Sequence, residues 1–288
     1  MGINTSIGAL LLAARDEGVD FSHTMTIGRQ ALTIPPEELS ALAKKHGIEN
    51  AQPPGFAADG WADDFFVRFL GAASVSSMDY SDYQSADIVH DLNKPVPDEL
   101  RERFDCVIDG GTIEHVFDVR QVLENYMGMV KLGGSLFIAT PANNLCGHGF
   151  YQFSPEFFYR VFSTDNGFAV RSMILIESPL LSVEASRHLR YFHVVDPEKI
   201  RKRVELVNCK PVMLFVHAER RENVPLFASN PYQSDYQTQW KEAQREDTEG
   251  KPAQPFRYES RWKEFRRRLR QRKKNGLHRG RFFTPFKP

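Results

Sequence analysis

The chain of 288 residues has three cysteines, no net charge and no long apolar run. Cys106, Cys146 and Cys209 are too few and too scattered for a disulfide framework, and none form a Cys-x-x-Cys knuckle. A reducing compartment is therefore expected. No stretch approaches the ~20 consecutive apolar residues of a membrane span, which excludes a transmembrane segment. Gly8 to Ala14 is apolar, but no Lys or Arg precedes it and Arg15, Asp16 and Glu17 cut it off, so it does not read as a signal peptide. Cytoplasmic residence is the expectation. The nine histidines are dispersed without HxxxH or Cys/His spacing, so no metal is expected. The missing net charge is a cancellation. Glu259 to Pro288 holds 12 Lys and Arg against 2 Glu, which leaves 25 basic against 35 acidic residues before it.

What is present is ordinary globular material, 41% hydrophobic and 26% charged. Short β-rich runs alternate with helical stretches. Strands are predicted at His23 to Ile27, Ala73 to Met78, Ala86 to His90, Phe104 to Ile108, Ser135 to Thr140, Ala169 to Glu177 and Pro211 to His217. Helices are predicted at Ile7 to Glu17, Pro35 to His46, Trp61 to Phe69, Val119 to Val130 (stopped by Gly133-Gly134), Pro155 to Phe162 and Pro197 to Val207. This order implies an α/β fold: a mostly parallel sheet of seven strands with helices on both faces. The expected organisation is an α/β domain over 1–220, an extended polar arm over 221–260 and a basic amphipathic tail over 261–288. In that tail, Trp262, Phe265 and Leu269 share one helical face.

Asp79, Asp91 and Asp109 follow the second, third and fourth strands in register, at the end of the sheet where ligands bind. A carboxylate there can accept from ribose hydroxyls or an amino group, or can simply cap a turn. The run Phe104-Asp-Cys-Val-Ile-Asp-Gly-Gly-Thr-Ile-Glu-His-Val-Phe-Asp118, with Val130-Lys-Leu-Gly-Gly-Ser-Leu-Phe-Ile-Ala-Thr-Pro141, resembles the fourth and fifth strands of S-adenosylmethionine-dependent methyltransferases. The resemblance spans roughly Thr24 to His217 and implies a Rossmann-like methyltransferase fold with S-adenosylmethionine as cofactor. It implies ribose recognition by Asp79, adenine-side recognition by Asp91, and further cofactor-side contacts from Asp109 and Glu114. Where that family has a GxGxG loop, this chain has Thr26-Ile-Gly-Arg-Gln-Ala31, with only Gly28 in place. Arg29 and Gln30 stand as substitutes, Arg29 pairing the cofactor's carboxylate or else forming a structural ion pair. The same loop argues against a nicotinamide dinucleotide enzyme, which needs GxGxxG there.

After the fifth strand, the loop carrying His148, Tyr151 and Gln152 suits a small polar acceptor, such as a sugar unit of a glycan or its lipid-linked precursor. His148 and Tyr151 are the catalytic candidates. His148 is read either as general base or as a rim residue that packs the loop. Glu114 at a helix start also has a capping explanation, and His115 beside it is a weaker candidate. The basic tail fits an anionic membrane surface, RNA or another polyanion, or the domain's own acidic surface. The alternative to an enzyme is a non-catalytic methyltransferase-like module that binds a partner or polyanion through this tail.

Overall fold

The structure, a computed structural model, describes residues 2–178, 189–201, 203–236, 262–263, 265–267, 276–277 and 282–288. The chain opens with β1 (Gly2–Ile3), α1 (Thr5–Asp16), β2 (His23–Ile27), β3 (Ala31–Leu32), α2 (Pro36–Lys45) and α3 (Asp63–Leu70). It continues with β4 (Ser74–Asp79), β5 (Ile88–Val89), β6 (Phe104–Asp109), α4 (Val119–Met129) and β7 (Val130–Asn143). The remainder is α5 (Pro155–Val161), β8 (Phe168–Glu177), β9 (Arg190–Val194), α6 (Pro197–Ile200), β10 (Val212–Arg220) and β11 (Phe283–Phe286). Helix starts follow their caps. The Asn4 side chain accepts from the Ile7 amide, Asp118 from Gln121, and Ser154 from Phe157 just ahead of Pro155.

One sheet of nine strands runs in the order β11-β9-β8-β10-β7-β6-β2-β4-β5, and β1 and β3 pair separately. All seven expected strands are in it. The two beyond that expectation, β9 and β11, pair with each other at one edge, and β9 also pairs with β8. Pairing directions make β9 and β10 antiparallel to the rest, so the sheet is mixed but mostly parallel. Inner strands alternate between two cores, as side chains with a period of two must. Leu136 and Ile138 face α4 and α5, whereas Phe137 and Ala139 face α1 and α3.

Two expected elements differ. The helix from Pro197 stops at Ile200, because Arg201 adopts a left-handed conformation (φ 49°) that an α-helix cannot continue. Gly133-Gly134 is not a loop between helix and strand. β7 begins directly at Val130 and runs through both glycines, with the register against β6 shifting between Phe104 and Cys106. The basic helix from Arg261 to Lys274 lies mostly outside the described residues, with Trp262, Lys263, Phe265, Arg266 and Arg267 within them; the arm beyond Tyr236 lies outside. Trp262 and Phe265 are exposed and stack on each other. The final segment is a strand of the sheet. Phe283 is buried opposite Val194, and Lys45 donates to the Pro288 carbonyl at 2.6 Å. Phe283→Ala should cost about 3 kcal/mol in chemical denaturation, the usual penalty for emptying a buried aromatic site. A change below 0.5 kcal/mol would mean that β11 adds little to the sheet.

His217 on β10 is buried, stacked on Phe137 at 4.3 Å, with Nε2 3.0 Å from Ser135 Oγ. Burial, reinforced by Arg171, holds its pKa down to about 4. The unfolded chain takes up a proton near the ordinary value of about 6.5 while the folded chain does not, so stability falls as pH drops from there towards 4. Between pH 7 and 4.5 the wild type should lose about 2 kcal/mol more than His217→Gln in urea unfolding. Equal losses would rule out His217 as the titrating group.

Candidate active site

β2 and β6 lie side by side and parallel, yet the chain leaves them in opposite directions, through β4 and β5 on one side and β7 on the other. Such a reversal opens a crevice at the carboxyl ends of the two strands. Gly28 sits there with φ of 71°, a conformation that strains any residue with a Cβ, and its amide donates to the Met78 carbonyl at 2.6 Å. A Cβ at Gly28 would stand 3.8 Å from Asp79 Oδ2 and 3.5 Å from Thr112 Oγ1, so these groups surround the strand end closely. A cavity of about 240 Å³ opens beside it, with Gly28, Asp79, Asp91, Thr112, His115 and Val116 in its wall. Asp79 Oδ1 accepts from the Tyr80 amide, and Asp91 Oδ1 from the Asn93 amide and side chain. The Asn93 side chain, then its amide, and Lys94 hold the Asp91 carboxyl below its ordinary range. The wall contains two carboxylates and no Lys or Arg.

Arg29 and Gln30 do not join that wall. Arg29, expected at a cofactor carboxylate, lies over the Trp61 ring at 4.7 Å, beside Asp59 and Asp63 at 3.6 and 3.7 Å. Of the two alternatives the sequence left open, this is the structural ion pair. Gln30 is buried. Its Nε2 donates to the carbonyls of Ile27 and Gly28, and its Oε1 is buried without a hydrogen-bond partner. It braces the end of β2 rather than lining the cavity.

Asp109 closes β6 and is buried. Its Oδ1 accepts from the Gly111 and Thr112 amides at 2.8 and 2.6 Å, and its Oδ2 from the Ile113 amide at 2.9 Å and the Tyr126 hydroxyl at 3.1 Å. With both oxygens so used, its part in the site is to fold the turn that follows. The turn delivers Glu114, whose Oε2 accepts from Thr140 Oγ1 at 3.0 Å and whose Oε1 has no hydrogen-bond partner. Burial, then the nearby Asp109 charge, pushes the Glu114 carboxyl up to about 8. Burial pushes the Asp109 carboxyl up as well, while its four donors pull the other way, and Glu114 keeps the proton at neutral pH. Burial, followed by His148, lowers the pKa of His115, which favours its neutral imidazole.

The loop after β7 is fixed at both ends. Asn144, at φ of 59°, donates to Asn208 Oδ1 and to the Lys210 carbonyl, and the Phe150 amide donates to the Glu114 carbonyl at 2.8 Å. Gly149 is required by contact: a Cβ there would stand 2.8 Å from that carbonyl. The loop thus lays His148 over Glu114, with Nε2 3.6 Å from Glu114 Oε1, and 5.4 Å from the His115 ring. Tyr151 is spent on structure, its hydroxyl donating to the Phe117 carbonyl at 2.8 Å, and the Gln152 side chain accepts from the Leu145 amide. Phe117 and Phe150 are exposed and meet edge to face at the rim, and Tyr80 and Tyr83 are exposed on the Asp79 side.

Of the candidates, then, Gly28, Asp79 and Asp91 meet in one cavity, and Glu114 and His148 form a second group that His115 joins to it. Thr112 and Thr140 belong to this arrangement and carried no sequence signal, since threonine beside a strand end is common. A larger cavity of about 640 Å³ lies between α4 and α5, with Arg120, Phe157, Phe227 and Tyr232 among its lining. Its Arg160 is held by Glu156, Asp196 and Glu198, and its Arg203 by Asp235, so those charges are already paired.

No family model matches this chain, and no curated protein does. Among solved structures it is similar to a putative sarcosine dimethylglycine methyltransferase from Galdieria sulphuraria, at 12% identity and TM-score 0.42, over 76% of this chain and 86% of that one. It is similar also to an S-adenosylmethionine dependent methyltransferase from Mesorhizobium loti, at 14% identity and TM-score 0.40, over 75% and 98%. A third likeness is to 1,6-didemethyltoxoflavin-N1-methyltransferase of Burkholderia thailandensis, solved with S-adenosylhomocysteine, at 9% identity and TM-score 0.38, over 76% and 78%. At these values the likenesses carry no argument about this chain's chemistry.

Asp109→Asn turns an amide N–H towards amide donors and should cost about 1 to 3 kcal/mol, the penalty for unsatisfied buried groups. Urea unfolding at pH 7 measures it, and an unchanged midpoint would show that the turn holds without the carboxylate.

Proposed function

We propose that the chain is an S-adenosylmethionine-dependent methyltransferase whose acceptor is a small polar molecule carrying a sugar ring. The observation that carries this reading is the cavity with Asp79 and Asp91 in its wall and no Lys or Arg. Two carboxylates repel phosphates, which disfavours a nucleotide or dinucleotide. They favour a nucleoside whose hydroxyls and amino group donate and whose charge is positive. Among the described residues Asp79 Oδ2 has no hydrogen-bond partner, which suits it to a ribose hydroxyl, and Asp91 suits the adenine side. At about 240 Å³ the cavity falls below the ~300 to 1,000 Å³ of most ligand pockets, so it fits the nucleoside part. The rest of the molecule would extend past Gly28 and Thr112 towards His115.

Bound there, the cofactor would supply an electrophilic methyl group on a sulfonium. Alignment is then the main task of the protein. Phe117 and Phe150 would face the acceptor's ring, Tyr151 and Asp109 hold the two loops in place, and His148 would receive the acceptor's proton at a ring nitrogen. The basic stretch near 261–274 would bring the enzyme to an anionic surface such as a membrane carrying a lipid-linked acceptor. A cytoplasmic setting suits the exposed thiols of Cys146 and Cys209. No helix among the described residues is long and apolar enough to cross a membrane.

One observation favours a second reading, a non-catalytic module with this fold that binds a partner or polyanion through its basic stretch. Arg29 is engaged by Trp61, Asp59 and Asp63, which leaves the methionine end of a cofactor without that partner. Calorimetric titration with S-adenosylmethionine separates the two. Binding is expected, and Asp79→Ala should weaken it by about 1 to 3 kcal/mol. No heat at millimolar cofactor would leave the second reading, and an unchanged affinity in Asp79→Ala would remove that residue from the site.

A further inference from the structure

Glu114, His115 and His148 converge from two segments that are 33 residues apart in sequence. Glu114 Oε1 lies 3.6 Å from His148 Nε2 and 4.0 Å from His115 Nε2, and one ligating atom from each of the three lies within 4.8 Å of the others. These separations exceed hydrogen bonds. They are close to the spacing of donors around one cation: nitrogen and oxygen ligands at about 2.0 to 2.2 Å from a metal stand roughly 3 to 3.5 Å apart. Small rotations of the two imidazoles, both on the accessible side, would close the difference. A second observation is independent of that spacing. Glu114 is 0% exposed, and its Oε1 has no hydrogen-bond partner while its Oε2 is held by Thr140. A buried polar atom without a partner costs about 1 to 3 kcal/mol, and this one is aimed at the two histidines.

We propose that Glu114, His115 and His148 bind a first-row divalent transition metal ion. Two imidazole nitrogens and one carboxylate oxygen suit Mn²⁺, Fe²⁺, Co²⁺ or Zn²⁺; Ca²⁺ and Mg²⁺ prefer oxygen ligands throughout. The surroundings are those of a ligand set held in place. Thr140 orients the carboxylate, and the backbone at Gly149 packs so closely that a Cβ would stand 3.1 Å from both Glu114 Cγ and His115 Nδ1. Three protein ligands leave coordination positions open, and His115 lies in the cavity wall, so an acceptor oxygen could take one. That use rests on the methyl-transfer reading, whereas the metal site does not. An ion there would engage the His148 lone pair and replace it as the group that eases loss of the acceptor's proton.

The test uses the full chain without an affinity tag, stripped by a chelator and titrated with Co²⁺ under visible spectroscopy, with Zn²⁺ competition. The expected result is one ion per chain with a ligand-field band. Glu114→Gln, His115→Ala and His148→Ala should each weaken binding by about tenfold or more, and Asp79→Ala should leave it unchanged. Far-UV circular dichroism checks the fold of each variant; neither histidine belongs to a core, so their truncation keeps the test valid if Glu114→Gln fails to fold. No band at millimolar Co²⁺, or stoichiometric binding that survives the combined His115→Ala, His148→Ala change, would overturn the site. Cofactor titration of the chelated protein is a separate measurement, so failure of the metal site and failure of the methyltransferase reading stay distinguishable.

Discussion

The arrangement at the strand ends depends on one buried carboxylate. Asp109 gathers three consecutive amides and the Tyr126 hydroxyl. Amides in a sharp turn all point one way and cannot be satisfied by the sheet, so an anion at the centre of the turn removes several unmet donors at once. Everything that follows takes its position from that turn: Thr112 against Gly28, Glu114 beneath the β7 loop, and His115 in the cavity wall. Tyr126 belongs to α4, so the same carboxylate ties the helix layer to the sheet at the point where the crevice opens.

The charge on Asp109 has an electrostatic effect on its neighbours. A second buried carboxyl a few residues on cannot easily ionise beside it, and the Glu114 pKa rises to about 8 as burial and this repulsion combine. A carboxylic acid held neutral beside two imidazoles differs chemically from the solvated pair at Asp79 and Asp91. One side of the crevice has Asp79 and Asp91 in its wall. The other holds a carboxyl whose ionisation burial and the Asp109 charge both oppose.

The sequence carried the sheet well because period and punctuation are local. All seven strands read from alternation are present, and the strand-end positions of Gly28, Asp79 and Asp91 translate directly into a shared cavity. β1 and β3 were not legible, being two residues long and paired with each other across nearly thirty residues. β9 and β11 were missed because each owes much of its pairing to a partner about 90 residues away. The same distinction governs the site. The sequence left Arg29 open between a cofactor contact and a structural ion pair because Trp61, Asp59 and Asp63 lie some thirty residues on and no local signal joins them. The contact of His148 with Glu114 depends on a loop docking through its backbone. Glu114 was read either as a helix-start cap or, from the resemblance, as a cofactor-side contact, and its carboxyl lies 3.6 Å from His148 and 4.0 Å from His115.

β11 also bears on how the sheet ends. A mixed sheet offers unpaired amides and carbonyls at its two outer strands, and such edges recruit other chains. Here one outer strand is β5, only two residues long, and the other contains Pro285, which has no N–H to offer a neighbour. β11 therefore limits growth of the sheet at its own edge. Among the described residues, then, one edge of the nine-stranded sheet is short and the other carries a proline, and both features disfavour edge-to-edge pairing.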